Sequence, residues 1–295
     1  MQRVARCGII AGDISMALTF NMLLRDSELD PREVRLMRHQ HVAKDGLTAF
    51  ALWRDNRNEF ERYQSAQRAD RRAHFASRFW AGFVVPPDGS TMFAGMYEIF
   101  GHSPVSPDWM DPLLRETASQ MGRDLDIYDF RRLENFDHLI GCLKVDWGKG
   151  ARSWAQRADS KSGNKLIVEL TQNFREPDFP GFTRFIGSLG SLPGLPTSWI
   201  AVLSATKGIY LLTCPRTREQ YVGSAYGSGG FWGRWQTYVA TGHGGNVGLK
   251  SRDPSDYQVS ILEVMGSAAT ADEIIAAEQL WKAKLQSRDM GLNKN

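Results

Sequence analysis

The segment from Lys207 to Ala225, KGIYLLTCPRTREQYVGSA, places two aromatic hydroxyls, Tyr210 and Tyr221, in two short apolar runs separated by a polar stretch. A phenol can hold or pass a proton. Its ordinary pKa of about 10 makes it a poor base at neutral pH, so chemistry here needs a neighbouring cation or a metal-bound water. Further on, Arg234 and Tyr238 stand at i, i+4 spacing, which projects both from one helix face. An arginine there offers planar, always-charged donors suited to a phosphate, with a phenol beside it. In ADEIIAAEQLWKAKLQSR, Glu278 falls on the stripe of Ile274, Trp281 and Leu285. A buried carboxylate must meet a cation, either a basic side chain such as Arg234 or a metal ion. Taken singly, each feature has an ordinary reading: strand aromatics, a surface arginine over a tyrosine, a salt bridge.

The elements that must position these residues follow from local patterns. GIYLLT and QYVGSA read as a hairpin. FWGRWQTYVATG has helical spacing with Gly242 as its C-terminal cap. DYQVSILEV reads as a strand, and Thr270 with Glu273 forms a capping box opening a helix that runs to about Arg288. The order is strand, strand, helix, strand, helix. Upstream, Leu52 to Gln67 reads as one amphipathic helix, and the aromatic runs around PPDG read as a hairpin. With HLIGCLKVDW and KLIVELT as further strands, residues 1–180 form an α+β unit with a twisted, largely antiparallel sheet. Residues 181–203, rich in Gly, Pro and Ser, read as a linker to a second unit at 204–295. Part of that linker can pack, since Phe182, Phe185, Ile186 and Leu189 would share a helix face.

Gly208-Ile209-Tyr210, then Tyr221-Val222-Gly223, Arg234 with Tyr238, Glu278 and the terminal Gly291-Leu292-Asn293 together resemble the GIY-YIG nuclease domain. The resemblance covers under a third of the chain, about Lys207 to Asn295. It implies a three-stranded antiparallel sheet flanked by helices. It also implies a DNA endonuclease hydrolysing phosphodiester bonds to 5′-phosphate and 3′-hydroxyl ends. Tyr210 and Tyr221 would then lie side by side at the scissile phosphate, one or the other acting directly or through water as general base, with Arg234 stabilising the phosphate charge, Tyr238 orienting the nucleophile and Asn293 bracing the site. Glu278 would hold one divalent ion, Mg2+ or Mn2+. The residue after YVG, often lysine in repair-type relatives, is Ser224, so Lys207 and His243 become auxiliary candidates.

The rest of the sequence sets bounds. A net charge of +3 permits a nucleic-acid partner without requiring one. Three scattered cysteines, Cys7, Cys142 and Cys214, build neither a disulfide framework nor a thiolate zinc site. The early apolar run GIIAG is too short for a membrane span, so a cytoplasmic chain is expected. The N-terminal part, which resembles that of uncharacterised bacterial GIY-YIG proteins, is the candidate for DNA recognition in restriction or defence. Repair, mobile-element and non-cleaving DNA-binding roles stay open, as does RNA, because chemistry at the phosphate does not read the 2′-hydroxyl. Double-strand cutting would call for a homodimer or sequential nicks. The arginines from Arg54 to Arg72 are interleaved with acids and read as a solvated mixed-charge face. Tryptophans such as Trp80, Trp147 and Trp154 read as core, with an aromatic pocket in a small barrel, open to a flipped or modified base, as the sharper alternative.

Overall fold

A computed structural model describes residues 17–148, 153–242, 244 and 257–293. The chain opens with α1 (Phe20–Asp26), β1 (Val34–His39), α2 (Ala49–Asp55), α3 (Arg57–Ser65), β2 (Ala66–Arg68) and α4 (Arg72–Phe75). The hairpin expected around PPDG follows as β3 (Phe79–Val84) and β4 (Thr91–Pro104). Its turn is tied by the Asp88 carboxylate, which accepts from the amide and hydroxyl of Ser90. Next come α5 (Ala118–Met121), β5 (Leu125–Arg132), β6 (Leu143–Asp146), β7 (Ala155–Arg157) and β8 (Leu166–Leu170).

These strands make one eight-stranded sheet in the order β2-β5-β4-β3-β1-β7, with β6 joined to β4 and β8 to β6. Its one parallel pair is β1 with β3; the remaining pairs are antiparallel. Among the described residues β2 and β7, at the two ends of that order, are not paired with each other, so the strands form an open sheet instead of the small barrel. The helices α1, α2 and α3 cover it with Phe20, Phe50, Trp53 and Phe60, which pack on Phe83 and Phe93.

The single helix expected over Leu52 to Gln67 is two helices. Asn56 leaves the helical region at φ −148° and its side chain accepts from the Glu59 amide. An asparagine that can satisfy an orphan N–H competes with helix continuation, and here the cap wins.

The C-terminal elements are β9 (Ile186–Ser188), α6 (Thr197–Ala205), β10 (Gly208–Thr213), β11 (Gln220–Ala225), α7 (Gly230–Thr241), β12 (Gln258–Val264) and α8 (Ala271–Lys284). Their sheet has four strands, β11-β10-β12-β9, all antiparallel, one more than the three expected. The extra strand comes from the segment read as a linker. Its apolar residues are no tether: Phe185, Leu189, Leu192, Leu195 and Trp199 are buried in the same core as Tyr210 and Trp235. Ile186 to Ser188 lie along β12, where their backbone groups find partners. At the other end, α8 stops at Lys284 instead of Arg288, since Gln286 turns to a positive φ of 51°. The capping box at Thr270 and Glu273 forms as expected. No described helix is long and apolar enough to cross a membrane.

His39, at the end of β1, is 4% exposed and packs edge-on against Phe60 and Tyr63. Burial pushes its pKa down to about 4, against a smaller upward effect from the Gln64 amide. The folded chain therefore binds fewer protons than the unfolded chain between about pH 4 and 6.5. Stability from this group is present above the unfolded value and is lost as pH falls through that window. Urea titrations of wild type and His39→Gln at about pH 7 and about pH 5 check this. Wild type is expected to lose roughly 2 kcal/mol more than the variant over that interval.

Candidate active site

Strands β10 and β11 pair so that Tyr210 lies opposite Gly223 and Leu212 opposite Tyr221. Alternation puts Tyr210, Leu212, Tyr221 and Gly223 on one face, with the tyrosines at diagonal positions. The glycine of YVG has a direct purpose. A Cβ at Gly223 would fall 2.4 Å from the Tyr210 hydroxyl oxygen, so the Tyr210 ring lies where any side chain would stand. Gly208 is excluded from substitution by backbone, because its Cβ would be 2.1 Å from the Glu263 carbonyl oxygen across the β10–β12 pair.

Helix α7 covers this face with Phe231, Trp235 and Tyr238 buried. Trp235 stacks on Phe185, whose ring is nearly parallel at 5.5 Å, so the segment before β10 fixes the roll of α7. That roll aims Tyr238 and Arg234 at Tyr210. The two phenol oxygens are 2.8 Å apart. The Arg234 Nε donates to the Tyr210 hydroxyl at 3.2 Å, and a terminal nitrogen donates to the Tyr238 hydroxyl at 3.3 Å. Its other terminal nitrogen donates to the Gly244 carbonyl at 3.2 Å. Tyr221 joins at the edge, with its ring centroid 6.3 Å from that of Tyr238.

Burial pushes the Tyr210 phenol far above its ordinary range, and Tyr221 adds to this while Arg234 opposes it. Burial likewise raises Tyr238, with Tyr210 next in effect. Both are neutral at neutral pH. The triangle of two hydroxyls and one guanidinium consumes only one of the two phenolic hydrogens. The other is free to be donated to an oxygen placed beside Arg234, which is only half-buried and is the group of the triangle nearest solvent.

Glu278 is elsewhere. It is 9% exposed, and Ser224 Oγ donates to its Oε2 while Lys282 Nζ lies 2.7 Å from its Oε1. The cation that a buried carboxylate demands is thus Lys282, one helical turn on, and not Arg234. Ser224 and Val222 point to the α8 face of the sheet, where Val222 packs with Ile209 and Ile274. Tyr221 and Gly223 point to the α7 face. The site residues accordingly form two clusters on opposite faces of β11. A carboxylate can accept about four hydrogen bonds and Glu278 uses two, so its residual capacity suits a hard ion that takes one or two carboxylates and keeps most of its waters. Among the described residues no three His, Cys, Asp or Glu stand together as a larger cage.

Asn293 does structural work for the same strand. Its Oδ1 accepts from the Val222 amide at 2.9 Å and its Nδ2 donates to the Val222 carbonyl at 2.8 Å. One side chain thereby takes the place of a neighbouring strand along the free edge of β11. Lys207 is partly buried, and no hydrogen bond or ion pair joins its side chain to the tyrosines among the described residues. His243 lies outside the described residues. Lys282 is the residue that sequence reasoning passed over. Its signal was present, a Glu-to-Lys pair at i, i+4 with the lysine itself on the apolar stripe.

No protein-family model and no curated protein matches the chain. Two solved structures are similar to part of it. One is a mutant of the catalytic domain of the intron endonuclease I-TevI, 26% identical over 30% of this chain and 94% of that one, with a TM-score of 0.26. The other is the catalytic domain of the homing endonuclease I-TevI, 27% identical over 30% of this chain and 98% of that one, at the same TM-score.

The buried pair makes a stability test. Lys282→Met leaves the Glu278 charge without its ammonium and is expected to cost about 3–5 kcal/mol in urea unfolding. Lys282→Met with Glu278→Gln removes both charges and is expected to recover most of that loss. An unchanged midpoint in the single variant would show that Glu278 does not depend on Lys282.

Proposed function

We propose that the C-terminal part of the chain is a phosphodiester hydrolase of the GIY-YIG type acting on DNA. The observation that carries this reading is the closed set of hydrogen bonds among Tyr210, Tyr238 and Arg234. An ordered guanidinium with two neutral phenols is suited to holding a phosphate and stabilising charge that grows on its oxygens. Arg234 meets the phosphate, its bonds to both phenols fixing the fork in advance. The spare phenolic hydrogen of the triangle steadies a phosphate oxygen or the attacking water. Tyr221, at the border of the cluster, is the further phenol in reach of that water.

Glu278 would hold the single divalent ion, Mg2+ or Mn2+, and when bound the ion supplies Lewis-acid stabilisation of the leaving 3′ oxygen. The larger N-terminal part would supply DNA recognition, in restriction or defence. Double-strand breaks would need a second copy or successive nicks. Two observations favour a different reading, a DNA-binding protein that does not cut: Glu278 stands on the face of β11 opposite the Arg234 cluster, and both its oxygens are already engaged by Ser224 and Lys282.

Cleavage of plasmid, methylated and hydroxymethylated phage DNA, and structured RNA, with and without Mg2+ or Mn2+, decides between them. Metal-dependent cutting is expected, with Arg234→Ala and Glu278→Ala each lowering the rate by about 100-fold or more. Because burial holds both phenols far above their ordinary pKa, they stay neutral donors from about pH 7 to about pH 9, and the rate is expected to show no phenol titration across that range. Tight DNA binding without cutting, retained in Glu278→Ala, would replace the nuclease reading with the non-cleaving one.

A further inference from the structure

A cavity of about 670 Å³ opens in the N-terminal part, where the end of β1 meets α3, β2 and α4. Its volume is that of a small-molecule site. One wall is aromatic: Tyr63, Phe75 and Trp154 line it. Phe75 is 2% exposed, whereas Trp154, 5.8 Å away between ring centroids, is 36% exposed and leaves an indole open to the cavity. His39 supports that indole from 6.0 Å and, with its lowered pKa, is uncharged at neutral pH.

The charged part of the lining is mainly cationic. Arg38, Arg68, Arg71 and Arg123 stand there against one lining carboxylate, Asp111. Asp111 is itself occupied, since its Oδ1 accepts from the amides of Leu113 and Leu114 at 2.8 Å each. Arg68 is held by Asp70 in a two-pronged pair. Among the described residues Arg71 has no hydrogen bond or ion pair, and the one hydrogen bond of the Arg123 side chain goes to the Met121 sulfur at 3.6 Å. The Arg38 Nε is buried without a hydrogen-bond partner. An apolar ligand would leave these guanidinium groups unanswered, and a bare anion would leave the indole unused.

We propose that this cavity binds one nucleotide unit, its base stacked on Trp154 and its phosphate on the arginines. Stacking on an aromatic side chain tolerates any base, and guanidinium groups suit phosphate. The volume admits a single nucleotide and not a duplex, so a DNA substrate would present an unpaired or extruded base here. The proposal goes beyond the nuclease reading, because binding is measured without hydrolysis and a failure to cut DNA leaves it standing.

The test is fluorescence anisotropy of a labelled single-stranded oligonucleotide without divalent metal, with free deoxynucleoside monophosphates as competitors. Trp154→Ala is expected to weaken binding on the order of tenfold, while Trp154→Phe stays near wild type. Arg71→Glu with Arg123→Glu is expected to weaken it further and to reduce its salt dependence. Displacement by monophosphates would assign the site to free nucleotides, and retention of the strand would assign it to a strand-borne nucleotide; either supports the pocket. The substituted side chains are partly or fully exposed, and thermal midpoints check that the variants fold. Wild-type affinity in both Trp154→Ala and the double variant, or no binding by wild type to strand or monophosphate, would overturn the proposal.

Discussion

The candidate site depends on the absence of a side chain at Gly223. The Tyr210 ring lies across that position, which lets its hydroxyl reach Tyr238 at 2.8 Å and receive Arg234. Any larger residue would displace the ring by more than a hydrogen bond can tolerate. Everything around the site serves to hold this arrangement. The stacking of Trp235 on Phe185 sets the roll of α7, and the Asn293 amide secures the edge of β11 by pairing with Val222.

The same strand also separates two kinds of electrostatics. On the α7 face, burial keeps two phenols neutral beside one arginine, and their hydrogen bonds make the guanidinium rigid before any substrate arrives. On the α8 face, a carboxylate is neutralised by an ammonium on its own helix and by a serine hydroxyl. A lone carboxylate on the α8 face would be expensive and is compensated within one helical turn, whereas the Arg234 charge on the α7 face is met by neutral hydrogen-bond acceptors and keeps its charge for an anion.

Much of this was legible because the signals were local. The spacing of Arg234 and Tyr238, the Thr270 capping box and the alternation through GIYLLT and QYVGSA each depend on a few consecutive residues, and each is found in the structure. What was hidden is nonlocal. The strand Ile186–Ser188 exists because β12 has an edge to fill, which the glycine- and proline-rich composition around it concealed. The break at Asn56 reflects competition between a cap and a helix that periodicity alone does not resolve. The partner of Glu278 was visible as a spacing, but a lysine on an apolar stripe reads as solvent-facing until its burial is seen. The cavity beside Trp154 gathers residues from positions 38 to 154, and no motif in the sequence announces it.

The most direct measurement is a double-mutant cycle on the single-turnover rate of DNA cleavage, using Tyr210→Phe, Arg234→Lys and the combination. If the hydroxyl and the guanidinium act as one hydrogen-bonded unit, each single change removes most of the activity and the pair costs little more than either alone. Additive losses, or a double variant that cuts as fast as wild type, would contradict the account.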